Sequence, residues 1–101
     1  MDKRVELHEK LCNLLGSRNV YFQPPESVKM KFPAIVYKRK NIDPRFADNN
    51  VYTRLIAYEV IVIDSDPDSM YVTKISTFPR CRFERHYTAE NMNHDVFTLY
   101  Y

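Results

Sequence analysis

The chain has 101 residues and a single glycine, Gly16. Average amino-acid usage would give about seven glycines in a chain of this length. Walker loops, dinucleotide-binding turns and the glycine-rich loops of kinases all need several glycines close together, because their backbone must approach phosphate groups. The sequence therefore argues against the common kinds of nucleotide-dependent chemistry.

Composition and charge are those of an ordinary globular domain. Apolar residues make up 45% of the chain and charged residues 28%, and the length predicts one domain spanning 1–101. The 15 basic and 13 acidic side chains leave a net charge of +2, which is too small to indicate a nucleic-acid or membrane partner. Residues 1–6 contain no apolar signal segment, and no apolar run approaches the roughly 20 residues of a spanning helix. We therefore expect a soluble intracellular protein.

Hydrophobic periodicity predicts seven elements in the order αβββαββ. They are helices at 3–15 and 67–77 and strands at 19–22, 34–40, 51–63, 80–88 and 96–101. The apolar stripe of the first helix consists of Val5, His8, Leu11, Cys12 and Leu15, and that of the second of Met70, Val72, Ile75 and Phe78. Runs of strands interrupted by two helices predict an α+β domain, in which an antiparallel-rich mixed sheet carries both helices on one face.

Three turn signals set the expected limits of these elements. Gly16 stands at the position where a glycine commonly ends a helix in the left-handed conformation. Asp66 is a suitable N-cap for the second helix, and Pro67 suits its first turn. Residues 91–94 are expected to form the last turn, with asparagine in the place of glycine.

The strand at 80–88 alternates in a way that predicts one solvent-exposed face. One side would carry Cys81, Phe83, Arg85 and Tyr87, and the other Arg80, Arg82, Glu84 and His86. Basic residues interleaved with rings are also typical of single-strand nucleic-acid binding. Because this register separates Phe83 from Arg80 and Arg82, we expect the rings to lie in the core and the charged side to face solvent or another subunit.

The sequence offers no constellation of catalytic or metal-ligating residues. Asp64, Asp66 and Asp68 imitate the start of a calcium-binding loop, but Ile75 stands where that loop needs a bidentate glutamate. No histidine pair has the i, i+4 spacing of a helical zinc site, and no serine lies in a nucleophile elbow. We therefore expect a protein that is not an enzyme and that holds no metal and no cofactor.

The remaining reactive side chains have structural interpretations. Cys12 and Cys81 are expected to be buried thiols in a reducing compartment, because two cysteines alone form no zinc site. His8 is expected to be a core or boundary residue, since it lies on the apolar stripe of a helix.

A long connection and two charged stretches are the candidates for contact with a partner. The connection 41–50 is longer than most hairpin loops and contains Arg45 and Phe46, although Phe46 could instead fold back as a local plug. The predicted subunit or partner interface consists of Lys38, Arg39, Arg45, Phe46, Asp48, Arg80, Arg82 and Glu84.

Strand and turn signatures occur together over nearly the whole chain. They are 20–25 (VYFQPP), 32–37 (FPAIVY), 64–69 (DSDPDS), 83–87 (FERHY) and 97–101 (FTLYY). In these stretches the chain resembles small proteins from the head–tail region of tailed bacteriophages, of the tail-terminator (tail-completion) or minor-capsid type. The resemblance is one of fold signatures, and it brings no catalytic residue with it.

The resemblance implies a structural protein of the virion. Such a protein would form a hexameric ring that caps the tail tube and joins it to the head, with the tube protein and a head-side connector protein as partners. DNA would pass through the ring without specific binding, and assembly would take place in the host bacterial cytoplasm. The hairpin 34–63, with its tip at 41–50, would reach a neighbouring subunit. Two alternatives stay open: a head-closure or adaptor protein of the neck, and a small nucleic-acid-binding regulator.

Overall fold

A computed structural model describes residues 3–40 and 56–101 of the chain. Within these ranges lie two helices and five strands: α1 (Lys3–Leu15), β1 (Val20–Phe22), β2 (Ala34–Arg39), β3 (Ala57–Asp64), α2 (Met70–Ser76), β4 (Cys81–Ala89) and β5 (Met92–Tyr100). The predicted α+β class and the order αβββαββ are confirmed. No helix of the described part of the chain is long and apolar enough to cross a membrane.

The five strands form one mixed sheet in the order β1-β2-β3-β5-β4. β1 runs parallel to β2, and the other three pairings are antiparallel, as the strand-rich pattern predicts. β2, β3 and β5 are internal strands, so each exchanges backbone hydrogen bonds on both sides. The nine-residue β4 forms one edge of the sheet, and the three-residue β1 forms the other.

Helix α1 has the limits that its periodicity predicts. Its buried residues are Leu7, Leu11, Cys12 and Leu15. Val5, which was expected in the same stripe, is exposed, because the stripe that meets the sheet is centred on Leu7 and Leu11. Gly16 follows the helix with a φ of +76°, and its backbone N–H donates to the Cys12 carbonyl at 2.8 Å.

Both helices pack on one face of the sheet. The residues that α1 and α2 cover there are Ile35, Tyr37, Tyr58, Val60, Val62, Phe97 and Leu99. The ring of Tyr37 lies at the centre, 4.9 Å from the Phe22 ring and 5.9 Å from the Tyr58 ring, measured between centroids. Neither of the two helices in the described residues covers the opposite face of the sheet.

The buried Tyr37 hydroxyl is satisfied from α1. It lies 2.8 Å from His8 Nδ1 and accepts a hydrogen bond from Arg4 Nη1 at 3.3 Å. Partial burial, together with the charges of Arg18 and Arg4, lowers the pKa of His8. His8 is therefore a boundary residue, as expected, and its Nδ1 lies within hydrogen-bond distance of the buried Tyr37 hydroxyl.

The turn of the last hairpin comes earlier in the chain than predicted. Its turn consists of Glu90 and Asn91, both at positive φ, so the predicted turn at 91–94 is wrong. A two-residue turn of this kind requires positive φ at both positions and pairs Ala89 with Met92 across the hairpin. Strand β5 consequently starts at Met92 and not at 96. Within the described residues β3 begins at Ala57, and the predicted strand residues 51–55 lie outside the described ranges.

Helix α2 begins three residues later than predicted. Its N-cap is Ser69, whose hydroxyl accepts from the Tyr71 backbone N–H at 3.2 Å, so the assignment of Asp66 as N-cap is wrong. The carboxylate of Asp66 instead accepts from the Asp68 backbone N–H, because aspartate competes for nearby backbone groups. Met70 is exposed, contrary to the prediction, and Ile75 is the buried residue of this helix.

Strand β4 does not have the predicted buried side. All its residues after Cys81 are exposed, and Phe83 is 51% exposed, with its ring edge towards Phe97. A β-bulge between Phe83 and Arg85 shifts the pairing with β5, so the simple alternation predicted for 80–88 is wrong. Because β4 is an edge strand that is paired on one side only, its rings are left near the surface.

Substitution of Gly16 by alanine is expected to destabilise the fold by about 1–2 kcal/mol, because a Cβ at this positive φ is strained. No atom lies within 4 Å of the added Cβ, so the cost comes from the backbone alone. Urea unfolding measures it, and the exposed helix substitution Asn13→Ala is the control. A Gly16→Ala variant as stable as the parent would contradict the assigned helix end.

Candidate functional site

The face of the sheet opposite the helices, called here the outer face, carries most of the predicted interface that the structure describes. Register defines it, since residues paired across neighbouring strands lie on the same face. Its central members are Val36, Lys38, Glu59, Ile61, Val96, Thr98, Arg82, Arg85 and Tyr87. None of them belongs to the core beneath the helices.

One row of polar residues crosses four strands of the outer face. Lys38 of β2 pairs in register with Glu59 of β3, Glu59 with Thr98 of β5, and Thr98 with Arg82 of β4. Strand pairing alone therefore places Glu59 and Thr98, which are 39 positions apart in sequence, side by side. The row alternates cation, carboxylate, hydroxyl and cation across the sheet.

Glu59 binds two cations on this face. Its carboxylate lies 3.3 Å from Lys38 Nζ and 3.8 Å from Arg85 Nη2. Its side chain is much less exposed than the side chains of the two cations. The glutamate thus lies against the sheet, and Lys38 and Arg85 extend beyond it towards solvent.

Glu84 is the centre of a second group. Its Oε1 accepts from the Thr98 hydroxyl at 2.9 Å and from Arg82 Nη2 at 2.9 Å, and Lys40 Nζ donates to the same hydroxyl at 2.9 Å. The hydrogen bond from Thr98, with that from Arg82, lowers the pKa of Glu84. Thr98 is buried, so its hydroxyl is a fixed donor to this carboxylate.

The β-bulge assembles these groups. Without it, alternation would place Glu84 and Arg85 on opposite faces of β4. With it, Arg85 pairs with Val96, which lies on the outer face, while Arg82 pairs with Thr98 on that same face. The side chains of Arg82, Glu84 and Arg85 consequently reach the outer face together, as does Tyr87.

An apolar part adjoins the charged row. The half-buried side chains of Val36 and Ile61 lie between Ala34 and the row, and they line an open cleft of about 570 Å³ with Gln23 and Pro24. Lys38 and Glu59 form the polar end of this cleft. The outer face thus combines an apolar centre with a charged margin, which is the composition of many protein interfaces.

The structure brings together three of the predicted interface residues. Lys38, Arg82 and Glu84 all belong to the outer face and its hydrogen-bonded groups. Arg39 does not join them, since it pairs with Tyr58 on the helix-covered face. Arg80 precedes β4 at a φ of +57°, and its carbonyl accepts from the Tyr100 backbone N–H. Neither residue is therefore part of the network on the outer face.

The predicted interface residues Arg45, Phe46 and Asp48, with the whole connection 41–50, lie outside the described residues.

Sequence reasoning missed four members of the site. They are Lys40, Glu59, Arg85 and Thr98. The signal that could identify Glu59 and Thr98 is a polar residue at an alternate position of an otherwise apolar strand, which marks the face turned away from the core. Arg85 was assigned to the opposite side of its strand, because no glycine or proline indicates the bulge.

The other reactive side chains do not assemble a site in the described ranges. Within residues 3–40 and 56–101 there is no group of three or more metal-ligating side chains. Cys12 is buried and Cys81 half-buried, both thiols are free, and burial raises the pKa of each. His86 contacts Asn93, and the His94 ring stacks on Tyr87 at 4.7 Å between centroids.

Comparison of the chain with protein-family models, with curated proteins and with solved structures finds no match.

Substitution of Thr98 by valine is expected to raise the pKa of Glu84 towards its usual 4.5, because the largest cause of the lowered value is removed. Because the pKa of Glu84 is lower in the folded state than in the unfolded state, its ionised carboxylate stabilises the fold above about pH 4.5. This stabilisation is lost as the pH falls through the folded-state pKa. The acid side of the stability profile should therefore flatten in the variant. Carboxyl NMR titration of Glu84, with Thr98→Ser as the hydroxyl-keeping control, measures the shift, and an unmoved midpoint contradicts the assigned contact.

Proposed function

We propose that the chain is a structural protein of a phage virion, a tail terminator that forms a ring, caps the tail tube and joins the tail to the head. The resemblance of its strand and turn signatures to such proteins supports this function. In this proposal the partners are further copies of the chain in a hexameric ring, the tail tube protein and a head-side connector protein. The protein acts in the neck of the virion as a structural component and not as an enzyme.

The charged outer face is the observation that carries the proposal. A ring subunit needs two different surfaces that fit one another, and it needs no active site. The outer face is a wide surface that neither helix of the described residues covers, with Val36 and Ile61 at its centre and ion pairs at its margin. Such a mixed surface favours specific contact with another protein.

The charge balance of the chain fits a ring through which DNA moves. Strong phosphate binding would slow the passage of DNA, because each bound phosphate adds to the affinity. A net charge of +2 over the chain is small, which favours a channel that holds DNA weakly.

A nucleic-acid-binding regulator is the second candidate. The bulge favours it, since Arg82, Arg85 and Tyr87 share one face and the Arg85 guanidinium lies 5.8 Å from the centre of the Tyr87 ring. Cations beside exposed rings are typical of single-strand nucleic-acid binding. The ring that shares a face with Arg82 and Arg85 is Tyr87, whereas Phe83 pairs with Phe97 of the core.

Light scattering behind a sizing column is expected to show a species near six subunits, in equilibrium with smaller forms or formed when tail tubes are added, with an annular outline in negative stain. The physical reason is that subunits joined through a heterologous contact form a closed ring when the rotation between neighbours permits it. Protein that neither forms rings at high concentration nor binds purified tail tubes would contradict the function. Binding of single-stranded DNA that falls steeply with salt would then favour the regulator.

Deletion of residues 43–49 is expected to abolish ring assembly while the monomer keeps its circular dichroism spectrum and cooperative unfolding. The deleted residues include Arg45, Phe46 and Asp48 of the predicted interface and none of the described core. A replacement of the same seven residues by a Gly/Ser linker is the matched control for chain length. Normal rings from the deletion variant would rule out a role for this connection in assembly.

A further inference from the structure

The outer face presents positive charge to solvent. Four cations, Lys38, Lys40, Arg82 and Arg85, share it with two carboxylates, Glu59 and Glu84. The side chains of Lys38, Arg82 and Arg85 are 62%, 74% and 63% exposed, whereas those of Glu59 and Glu84 are 18% and 27% exposed. The carboxylates thus lie beneath the cations, and a partner that approaches this face meets the cations first. We call these four cations the cationic patch.

The segment between β3 and α2 presents the opposite charge. Asp64, Asp66 and Asp68 lie within five residues, and none forms an ion pair with another described residue. We call residues 64–68 the acidic turn. Asp66 and Asp68 are exposed, so their charges are available to a second molecule.

Hydrogen bonds hold the acidic turn in one shape. Asp64 Oδ1 accepts from the Asp66 backbone N–H at 3.1 Å, and Asp66 Oδ1 accepts from the Asp68 backbone N–H at 2.9 Å. The side chain of Asn93 donates to the Ser65 carbonyl at 3.2 Å and thereby fixes the turn to β5. A turn that is already ordered loses little conformational freedom when it binds.

In one chain the described residues of the two charged surfaces form no ion pair with each other. Glu59 and Asp64 lie five positions apart on β3, a separation of roughly 17 Å along the strand. β3 is paired on both sides, so this distance is fixed. A second copy of the chain can therefore offer each of the two surfaces the opposite charge.

We propose that the acidic turn of one copy docks on the cationic patch of a second copy, and that this is the contact between neighbouring subunits of the ring. The inference rests on the proposed function and names the surfaces that serve it. Because the two surfaces differ, the contact is heterologous, and repetition of it closes a ring when the rotation between subunits permits. A second copy is favoured over nucleic acid as the occupant, since it accounts for both surfaces at once.

Two charge-reversed variants test the contact. The turn variant is D66K/D68K, and the patch variant is R82E/R85E. Neither is expected to associate with itself, because each places like charges against each other, and self-association should weaken at least about tenfold. The variant E6Q/E26Q removes two exposed carboxylates elsewhere and should associate as the parent does. Circular dichroism and thermal unfolding establish that every variant is folded.

Mixing the two variants gives the decisive result. In an equimolar mixture, Asp66 and Asp68 of the patch variant meet Arg82 and Arg85 of the turn variant. The two lysines introduced in the turn variant meet the two glutamates introduced in the patch variant. Both contacts are then complementary, so the mixture should form alternating assemblies that neither variant forms alone. Sedimentation velocity at low salt measures this, and the assemblies should dissociate as salt screens the charges.

Three outcomes would overturn the inference. They are undiminished association of either variant, failure of the mixture to associate, and a parent protein that stays monomeric at about 1 mM and low salt. Salt-dependent binding of oligo(dT) that the patch variant loses, without self-association of the parent, would assign the cationic patch to nucleic acid. Rings that form on tail tubes from both variants would leave the proposed function standing and remove only this contact.

Discussion

The packing of both helices against one face of the sheet is the constraint on which the rest of the structure depends. Leu7 and Leu11 of α1 and Ile75 of α2 reach the same set of strand residues, centred on Tyr37 and Tyr58. A sheet covered on one side must give its other side to polar residues or to a partner. The residues of the candidate site lie on the face of the sheet that α1 and α2 do not cover.

The bulge in β4 is the second constraint, since it decides which charges face outward together. Because Arg85 pairs with Val96, the side chains of Arg82, Glu84 and Arg85 all reach the outer face of this edge strand. Bulges at sheet edges also discourage random pairing with other chains, and charged edge residues act in the same direction. The edge is therefore protected against unspecific addition of a strand, while its outer face is available for a specific contact.

Sequence predicted the elements whose signals are local. The period of α1, its end at Gly16 and the strand formers of β2 all act within a few residues, and the structure agrees with them. The predicted start of α2 is wrong. The Asp66 side chain can cap a helix or accept a hydrogen bond within a turn, and here it accepts from the Asp68 backbone N–H in the turn. The partners of Lys38 and Glu84 in the site could not be predicted, since they depend on register across four strands and on a bulge without a sequence signature.

The energetics of the outer face separate its role from that of the core. Exposed ion pairs contribute only about 0–1 kcal/mol each to stability, whereas a buried aromatic or leucine side chain contributes several times more. The pairs of Glu59 and Glu84 are therefore weak supports for the fold, and their cations can exchange partners at little cost when a second molecule approaches. Thr98 is the exception, because its buried hydroxyl must keep both an acceptor and a donor. The charged margin of the outer face thus has a fixed hydroxyl at Thr98 with adaptable cations around it, an arrangement that suits a reversible contact between subunits.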